Sequence, residues 1–222
     1  MDLKSNLDLL RSNYQRYGLS ACVHDLTKKS INRVLPFRMM SALKLTWDGI
    51  DKSFLETSAE LEIGFVEDSR LWALADEDGH DLDREFLATA LGKGDRCVGI
   101  WIGGRLASYG WYSRKPTRVD ESLIFSFSPD WVYMYKGFTH HDFRGRRLHA
   151  IGMAYALDAH RRESRGIVSY VESHNFASLK SCYRMGYQDI GRLCSAGLAG
   201  RHITWGTGDC GAYDLRLLWQ PQ

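Results

Sequence analysis

The sequence predicts a mixed α/β domain: a mostly antiparallel, twisted sheet flanked by helices, with a helical extension at the amino-terminal end. Three observations predict it. Strand-like runs separated by turn signals follow one another between residues 97 and 139. From 132 onward, strands alternate with helices. Residues 6–35 carry apolar side chains at three-to-four-residue spacing. A chain of 222 residues has room for one large domain, or for one domain with an added segment, and its texture changes near residue 95. The expected division is a helical extension or cap over 1–95, packed on a main domain over 96–222.

Each element has a local reason. Leu3, Leu7, Leu10 and Tyr14 place a helix that is interrupted at Gly18 and ended or bent at Pro36. Residues 82–91 read as a short amphipathic helix closed by Gly92 and Gly94. Runs 97–102 and 105–112 are joined by Gly103-Gly104, a two-residue hairpin signal. A strand over 123–127, a turn at Pro129-Asp130 and a strand over 132–139 follow. Residues 148–160 are apolar around most of the circumference, as in a helix packed on a sheet, with Gly166 as its cap. Residues 167–171 form a buried strand, Asn175 N-caps a helix running to Met185, and Gly186 ends it. The stretch 187–218 is strand-like, with seven glycines from Gly186 to Gly211.

Plentiful aromatics and only 4 prolines exclude a collagen-like or mainly disordered chain. No apolar run approaches the ~18–20 residues of a membrane helix, and the first residues lack the apolar core of a secretory signal. The five cysteines, at 22, 97, 182, 194 and 210, show no Cys-x-x-Cys spacing. They read as free thiols of a reducing compartment, with Cys97 and Cys182 as core filler, so a cytoplasmic location is expected.

The net charge of +2 hides an asymmetry. Residues 1–96 hold 13 Lys/Arg against 17 Asp/Glu, and residues 97–222 hold 16 against 10. Eleven acids fall between 56 and 85, opposed by Arg70 and Arg84. Arg144, Arg146, Arg147, Arg161, Arg162 and Arg165 fall within 22 residues. A nucleic-acid binder shows a broader basic excess. Local recognition of an anion fits better, and the acidic stretch suits either a cationic ligand or a solvated face.

The chemistry concentrates between Tyr135 and His149. A strand runs into an Arg- and Gly-rich loop that opens directly into a helix, whose first N–H groups lack intrahelical partners. Gly145 allows close backbone approach, which makes the loop a phosphate or diphosphate cradle. Taken alone, this reading weighs equally with arginines that merely pair with the acidic half. The loop is neither a P-loop, which ends in Gly-Lys-Ser/Thr, nor a Gly-x-Gly-x-x-Gly dinucleotide fingerprint.

Two motifs in order break the tie. Asp142-Phe143-Arg144-Gly145-Arg146-Arg147-Leu148-His149 is followed by Val171-Glu172-Ser173-His174-Asn175-Phe176-Ala177-Ser178 and then by Tyr183-Arg184-Met185-Gly186-Tyr187. With the preceding hairpin, they resemble the GNAT N-acyltransferase superfamily over roughly residues 95–195. Departures stand at Arg147 and His149, where the family pattern has small residues, and at His141, where it often has Pro.

The resemblance implies a GNAT-like sheet and direct acyl transfer from acetyl-CoA or another acyl-CoA to a primary amine, with no covalent enzyme intermediate and no metal. It implies a donor cradle from Arg144, Gly145, Arg146, Arg147, Leu148 and His149. Backbone N–H groups near Phe138 and Thr139 polarise the thioester, and Asn175 and Ser178 stand near the pantetheine arm. It implies Tyr183 as the general acid, the alternative being a packed helix tyrosine. Glu172 is the candidate base, acting through water, with His140, His141 and His174 nearby. No metal site is expected, because His140 and His141 are adjacent and His160 with Glu163 lacks a third partner.

Two other readings stay open. One is a longer-chain or acyl-carrier-protein-dependent N-acyltransferase of glycolipid or polysaccharide biosynthesis, with Arg161, Arg162 and Arg165 meeting an acidic carrier. The other is a non-catalytic acyl-CoA-binding regulatory module. The expected partner is a small amine, without nucleic acid, and a homodimer is compatible with the sequence.

Overall fold

The computed structural model describes residues 37–198 and 201–220. The helix expected over 6–35, Pro36 and Cys22 lie outside the described residues. Among the described residues, eleven strands and four α-helices follow in order. They are β1 (Phe37–Leu45), β2 (Leu61–Phe65), α1 (Asp68–Ala75), α2 (Arg84–Lys93), β3 (Arg96–Ile102), β4 (Arg105–Ser113), β5 (Thr117–Arg118), β6 (Leu123–Ser126) and β7 (Val132–Thr139). Then come α3 (Leu148–Ala159), β8 (Ile167–Glu172), α4 (Phe176–Met185), β9 (Gln188–Leu198), β10 (Arg201–Gly206) and β11 (Arg216–Trp219).

Eight strands form one sheet in the order β10-β9-β1-β8-β7-β4-β3-β2. Every pair is antiparallel except β7 and β8, which run parallel. A second sheet, β11-β6-β5, covers part of one face. This is the mixed, mostly antiparallel architecture that the sequence predicts.

Helix α3 lies on the other face. Ala150, Gly152, Ala154 and Ala156 are buried along it, and these small side chains let its axis lie close to the strands. Leu43, Leu45, Val132, Ile167, Leu157 and Met185 close the core beneath it. Across the sheet, Phe125, Leu193 and Leu217 fill the space under the small sheet. Leu71, Leu87 and Trp111 fill the space under α1 and α2.

The expected boundary at residue 95 does not divide the structure. β1 is an interior strand between β8 and β9, and β2 is paired with β3, so residues before 95 complete the same sheet. β1 is hard to read because it is buried on both faces and shows no alternation. Two glycines also take other places than expected. Gly94, with φ of 88°, is the cap of α2, and Gly92 lies inside it. α3 ends at His160, whereas Gly166 precedes β8 with a backbone that a Cβ would drive to 2.3 Å from the Leu45 carbonyl. The Gly103-Gly104 hairpin is as read, with φ of 56° and 78°. Cys97 is buried in the core, and burial pushes its thiol well up; Cys182 is pushed up to about 11 for the same reason. Among the described residues no helix is long and apolar enough to cross a membrane.

Candidate functional site

The site begins where the sheet splits. β7 and β8 pair at Val132↔Ile167 and Tyr133↔Val168 only. Ser169 Oγ then donates to the Met134 carbonyl at 2.9 Å, and beyond it the two strands part. On its other side β7 stays laddered to β4. The register there slips between Trp111 and Tyr112, leaving Tyr135 as the extra residue of a bulge. The bulge turns Tyr135 and Lys136 to the same side, where both approach Phe86 of α2.

Backbone direction follows from the ladder. The His140 N–H donates to the Ala107 carbonyl on the β4 side. Alternation along an antiparallel strand then directs Phe138 toward β4 and Gly137 and Thr139 toward the split. Side chains agree: Ser108 Oγ donates to the Phe138 carbonyl from β4 at 2.7 Å, and Arg144 Nε donates to the Thr139 carbonyl at 3.3 Å. Of the two expected thioester-polarising groups, Thr139 faces the opening and Phe138 does not. Gly137, which the sequence reading passed over, joins Thr139.

The loop after β7 ends in a helix start without a cap. Gly145 takes φ of 83° and Arg147 takes φ of 59°, and Arg147 supplies no capping side-chain bond to α3. The N–H groups of Leu148, His149 and Ala150 are therefore without a side-chain cap. Arg147, His149 and Ala150 at this helix start line a cleft of about 680 Å³ between α3, α4 and the turn at Lys52–Leu55. Arg147, Lys180 and Arg184 line it with Asp51 as the only acid, and Ser181 and Phe54 complete the wall.

Among the described residues, none of those three cations has an acidic partner within ion-pairing distance. Asp51 is held below the usual carboxylate range by hydrogen bonds from Ser53, with Arg147 adding to the effect.

His149 joins cleft and split. Its ring lies directly over Gly137, where a Cβ would stand 2.3 Å from His149 Cε1. Burial pushes the imidazole down to about 4, so it is neutral at neutral pH.

The loop arginines do not act together. Arg144 folds onto Thr139, Arg146 is ion-paired with Glu60, and Arg147 alone lines the cleft. Asn175 accepts from the Ser178 N–H at 3.2 Å as the cap of α4, and neither residue is in the cleft wall. Tyr183 is 44% exposed, and its hydroxyl lies 3.2 Å from Asp189. Partial burial and that carboxylate raise its pKa above the ordinary tyrosine value. Its side chain is outside the cleft lining. Glu172 ends β8 and accepts from Arg38 Nε at 3.0 Å and from the second guanidinium nitrogen at 2.7 Å. His140, His141 and Asp142 gather their ligand atoms within 4.8 Å, a grouping that the sequence reading set aside. Asp142 in that group already accepts from Arg105 at 2.9 Å.

The sequence reading missed Lys180, Ser181 and Arg184. Their signal was the spacing 180, 181, 184, which puts three polar side chains on one face of α4, away from the buried Leu179. It also missed a second opening, about 520 Å³, on the far side of β7. There Tyr135 donates to Asp95 at 2.9 Å, and Lys93 reaches the same carboxylate at 3.0 Å. Burial pulls the Lys93 ammonium below its usual value. Asp83, Glu85 and Phe86 are in the wall of this opening.

No family model and no curated protein matches the sequence. Solved structures similar in shape include an acetyltransferase of the GNAT family from Novosphingobium aromaticivorans, at TM-score 0.49 and 12% identity. That match covers 72% of this chain and 63% of the other. A GCN5-related N-acetyltransferase-like protein from Streptococcus suis has TM-score 0.48 and 13% identity, covering 93% and 69%. A GNAT-family acetyltransferase from Colwellia psychrerythraea has TM-score 0.49 and 12% identity, covering 71% and 55%. The chain thus spans less than two thirds of the first and the third. Likenesses this distant identify no substrate.

Proposed function

We propose that this protein is an N-acyltransferase that moves an acetyl or other short acyl group from a CoA thioester to a primary amine by direct attack. One observation carries the reading: beside the parting of β7 and β8 stands an uncapped helix start whose cleft is lined by three cations that have no acidic partner among the described residues. An extended thiol arm fits a strand gap, where it takes up backbone groups that β8 leaves unpaired. A diphosphate fits the helix start, where the N–H groups of Leu148, His149 and Ala150 and the side chains of Arg147, Lys180 and Arg184 supply donors and charge. The motif resemblance points to the same donor.

The chemistry then needs little from side chains. The amine nitrogen attacks the thioester carbonyl carbon, and the resulting oxyanion meets one of the two N–H groups that face the gap, that of Gly137 or of Thr139. The C–S bond breaks as the intermediate collapses, and the ammonium proton leaves with the thiolate or through water. The opening beside Tyr135 suits the amine, because Asp83, Glu85 and Asp95 outnumber Lys93 and Arg118 among its described lining residues, which favours a cationic acceptor, and Tyr135 belongs to the strand that bounds the gap. On this reading part of the acidic stretch stands beside the chemistry. Tyr183 and Glu172 stand against Asp189 and Arg38 respectively, so the reading does not depend on either. Thiol release from acetyl-CoA with a panel of primary amines tests it. Amine-dependent release by the wild type that is lost in Arg147→Glu is expected, and release independent of amine and of Arg147 would overturn it.

A further inference from the structure

The far end of α3 carries a second cluster of cations. α3 has 12 residues, so at about 1.5 Å per residue its last turn lies about 18 Å from the cleft. There a separate cavity of about 460 Å³ is bounded by the end of β1, the loop before β8 and Tyr213. Three cations line it: Lys44, Arg161 and Arg165. Among the described residues none of them is within ion-pairing distance of an acid, although Arg114, Arg146 and Arg192 elsewhere on the surface all are. Among the described residues Asp48 is the only acid in the wall, so these residues give the cavity a formal charge of +2, from three cations and one carboxylate.

These cations are also held in place. The Arg161 guanidinium lies 3.9 Å from the centre of the Trp47 ring, and that of Arg165 lies 5.6 Å from Trp131. Lys44 Nζ donates to the Tyr213 hydroxyl at 2.6 Å. Trp131 is buried and meets Tyr213 edge to face at 5.3 Å, so the rings under the charges are themselves fixed. Gly166 keeps the floor open, since a Cβ there would stand 3.0 Å from Trp131 as well as against Leu45. A guanidinium stacked on an aromatic ring keeps its N–H fork for a ligand and loses little freedom on binding. Arg70, Arg84 and Arg105 also stand on aromatic rings, but each of these is ion-paired with an acid, whereas Arg161 and Arg165 have no acidic partner among the described residues.

We propose that this cavity binds a small phosphoanion carrying at least two negative charges, of diphosphate size, at a site separate from the acyl-donor cleft. Charge selects the class: a monocarboxylate leaves the cavity cationic, whereas a dianionic phosphate neutralises it and presents oxygens to two guanidinium forks. The volume is of the size of small-ligand sites. The backbone does not help at this end, because the last turn of a helix presents carbonyl groups, so side-chain cations must supply all of the attraction. The inference is independent of the acyltransferase reading.

Calorimetric titration with sodium diphosphate tests it on the wild type, on Arg147→Ala, which weakens the donor cleft, and on Arg161→Ala/Arg165→Ala placed in that Arg147→Ala background. Binding that persists in Arg147→Ala and falls about tenfold or more when Arg161 and Arg165 are also removed is expected. If that variant melts earlier than Arg147→Ala, Lys44→Gln in the same background replaces it, with a smaller loss expected. Binding that is abolished by Arg147→Ala, or indifferent to Arg161, Arg165 and Lys44, or absent at millimolar diphosphate, would overturn the proposal.

Discussion

The two ends of α3 carry the same formal charge and are built differently. At its start, Arg147, Lys180 and Arg184 face Asp51; at its end, Lys44, Arg161 and Arg165 face Asp48. Both ends hold an arginine over an aromatic ring, Arg147 over Phe54 at the start and Arg161 and Arg165 over Trp47 and Trp131 at the end. The start adds backbone N–H groups left uncapped by Arg147, while the end adds carbonyls and must rely on its cations. The start also neighbours the split of β7 and β8, since the His149 ring lies over Gly137 of β7. Charge alone therefore does not distinguish the two ends. Direction of the backbone and nearness to a strand gap do.

The largest way to break this comparison is to remove a glycine that holds one end in shape. Gly186 caps α4 at φ of 101°, and a Cβ there would stand 1.8 Å from the Gly49 carbonyl. Gly186→Ala is expected to cost on the order of 3 kcal/mol and to weaken acyl-CoA binding through the displaced Lys180 and Arg184. Thermal melting and donor titration check both.

Next in size is Lys180→Ala/Arg184→Ala. Calorimetry should show acyl-CoA affinity falling about tenfold or more with the melting point retained, because both side chains are exposed and without acidic partners. Unchanged affinity would remove α4 from the donor site.

A smaller effect concerns pH. The imidazole of His149 is pushed down to about 4 by burial, and that of His160 is also lowered chiefly by burial. The unfolded chain, with histidines near 6.5, binds these protons first, so stability falls as pH drops from about 6.5 toward 4. Melting temperatures across that range should fall for the wild type and fall less steeply for His149→Ala. A parallel decline in the two proteins would contradict the buried, neutral His149.

The smallest effect is expected from Tyr183→Phe, whose hydroxyl meets Asp189 outside the cleft. Stability within about 0.5 kcal/mol of the wild type and unchanged amine-dependent thiol release are expected. A large loss of turnover would return that hydroxyl to the chemistry.

Much of the structure around the site is written locally. The Gly103-Gly104 hairpin, the bounds of β7, the cap at Asn175 and the stop at Gly186 each depend on residues within a few positions, and each is found as read. β1 has no such signal. Its partners lie more than 120 positions away, and both its faces are covered, so no alternation betrays it. The same holds within the site. Arg147 and His149 stand out in the motif, but Lys180 and Arg184 join them only once α4 has packed beside α3. Arg144 and Arg146 look equivalent to Arg147 along the chain, and the fold sends them to Thr139 and Glu60. The bulge at Tyr135 and the N–H directions of Gly137 and Thr139 come from register, which composition does not encode.

The most direct test of the central claim is calorimetric titration of acetyl-CoA into the wild type and into Arg147→Glu, followed by competition with free CoA. The split-sheet cleft predicts binding that free CoA displaces and that the charge reversal weakens by about a hundredfold or more. Absence of binding to the wild type, or equal affinity in the two proteins, would contradict a donor site at the start of α3.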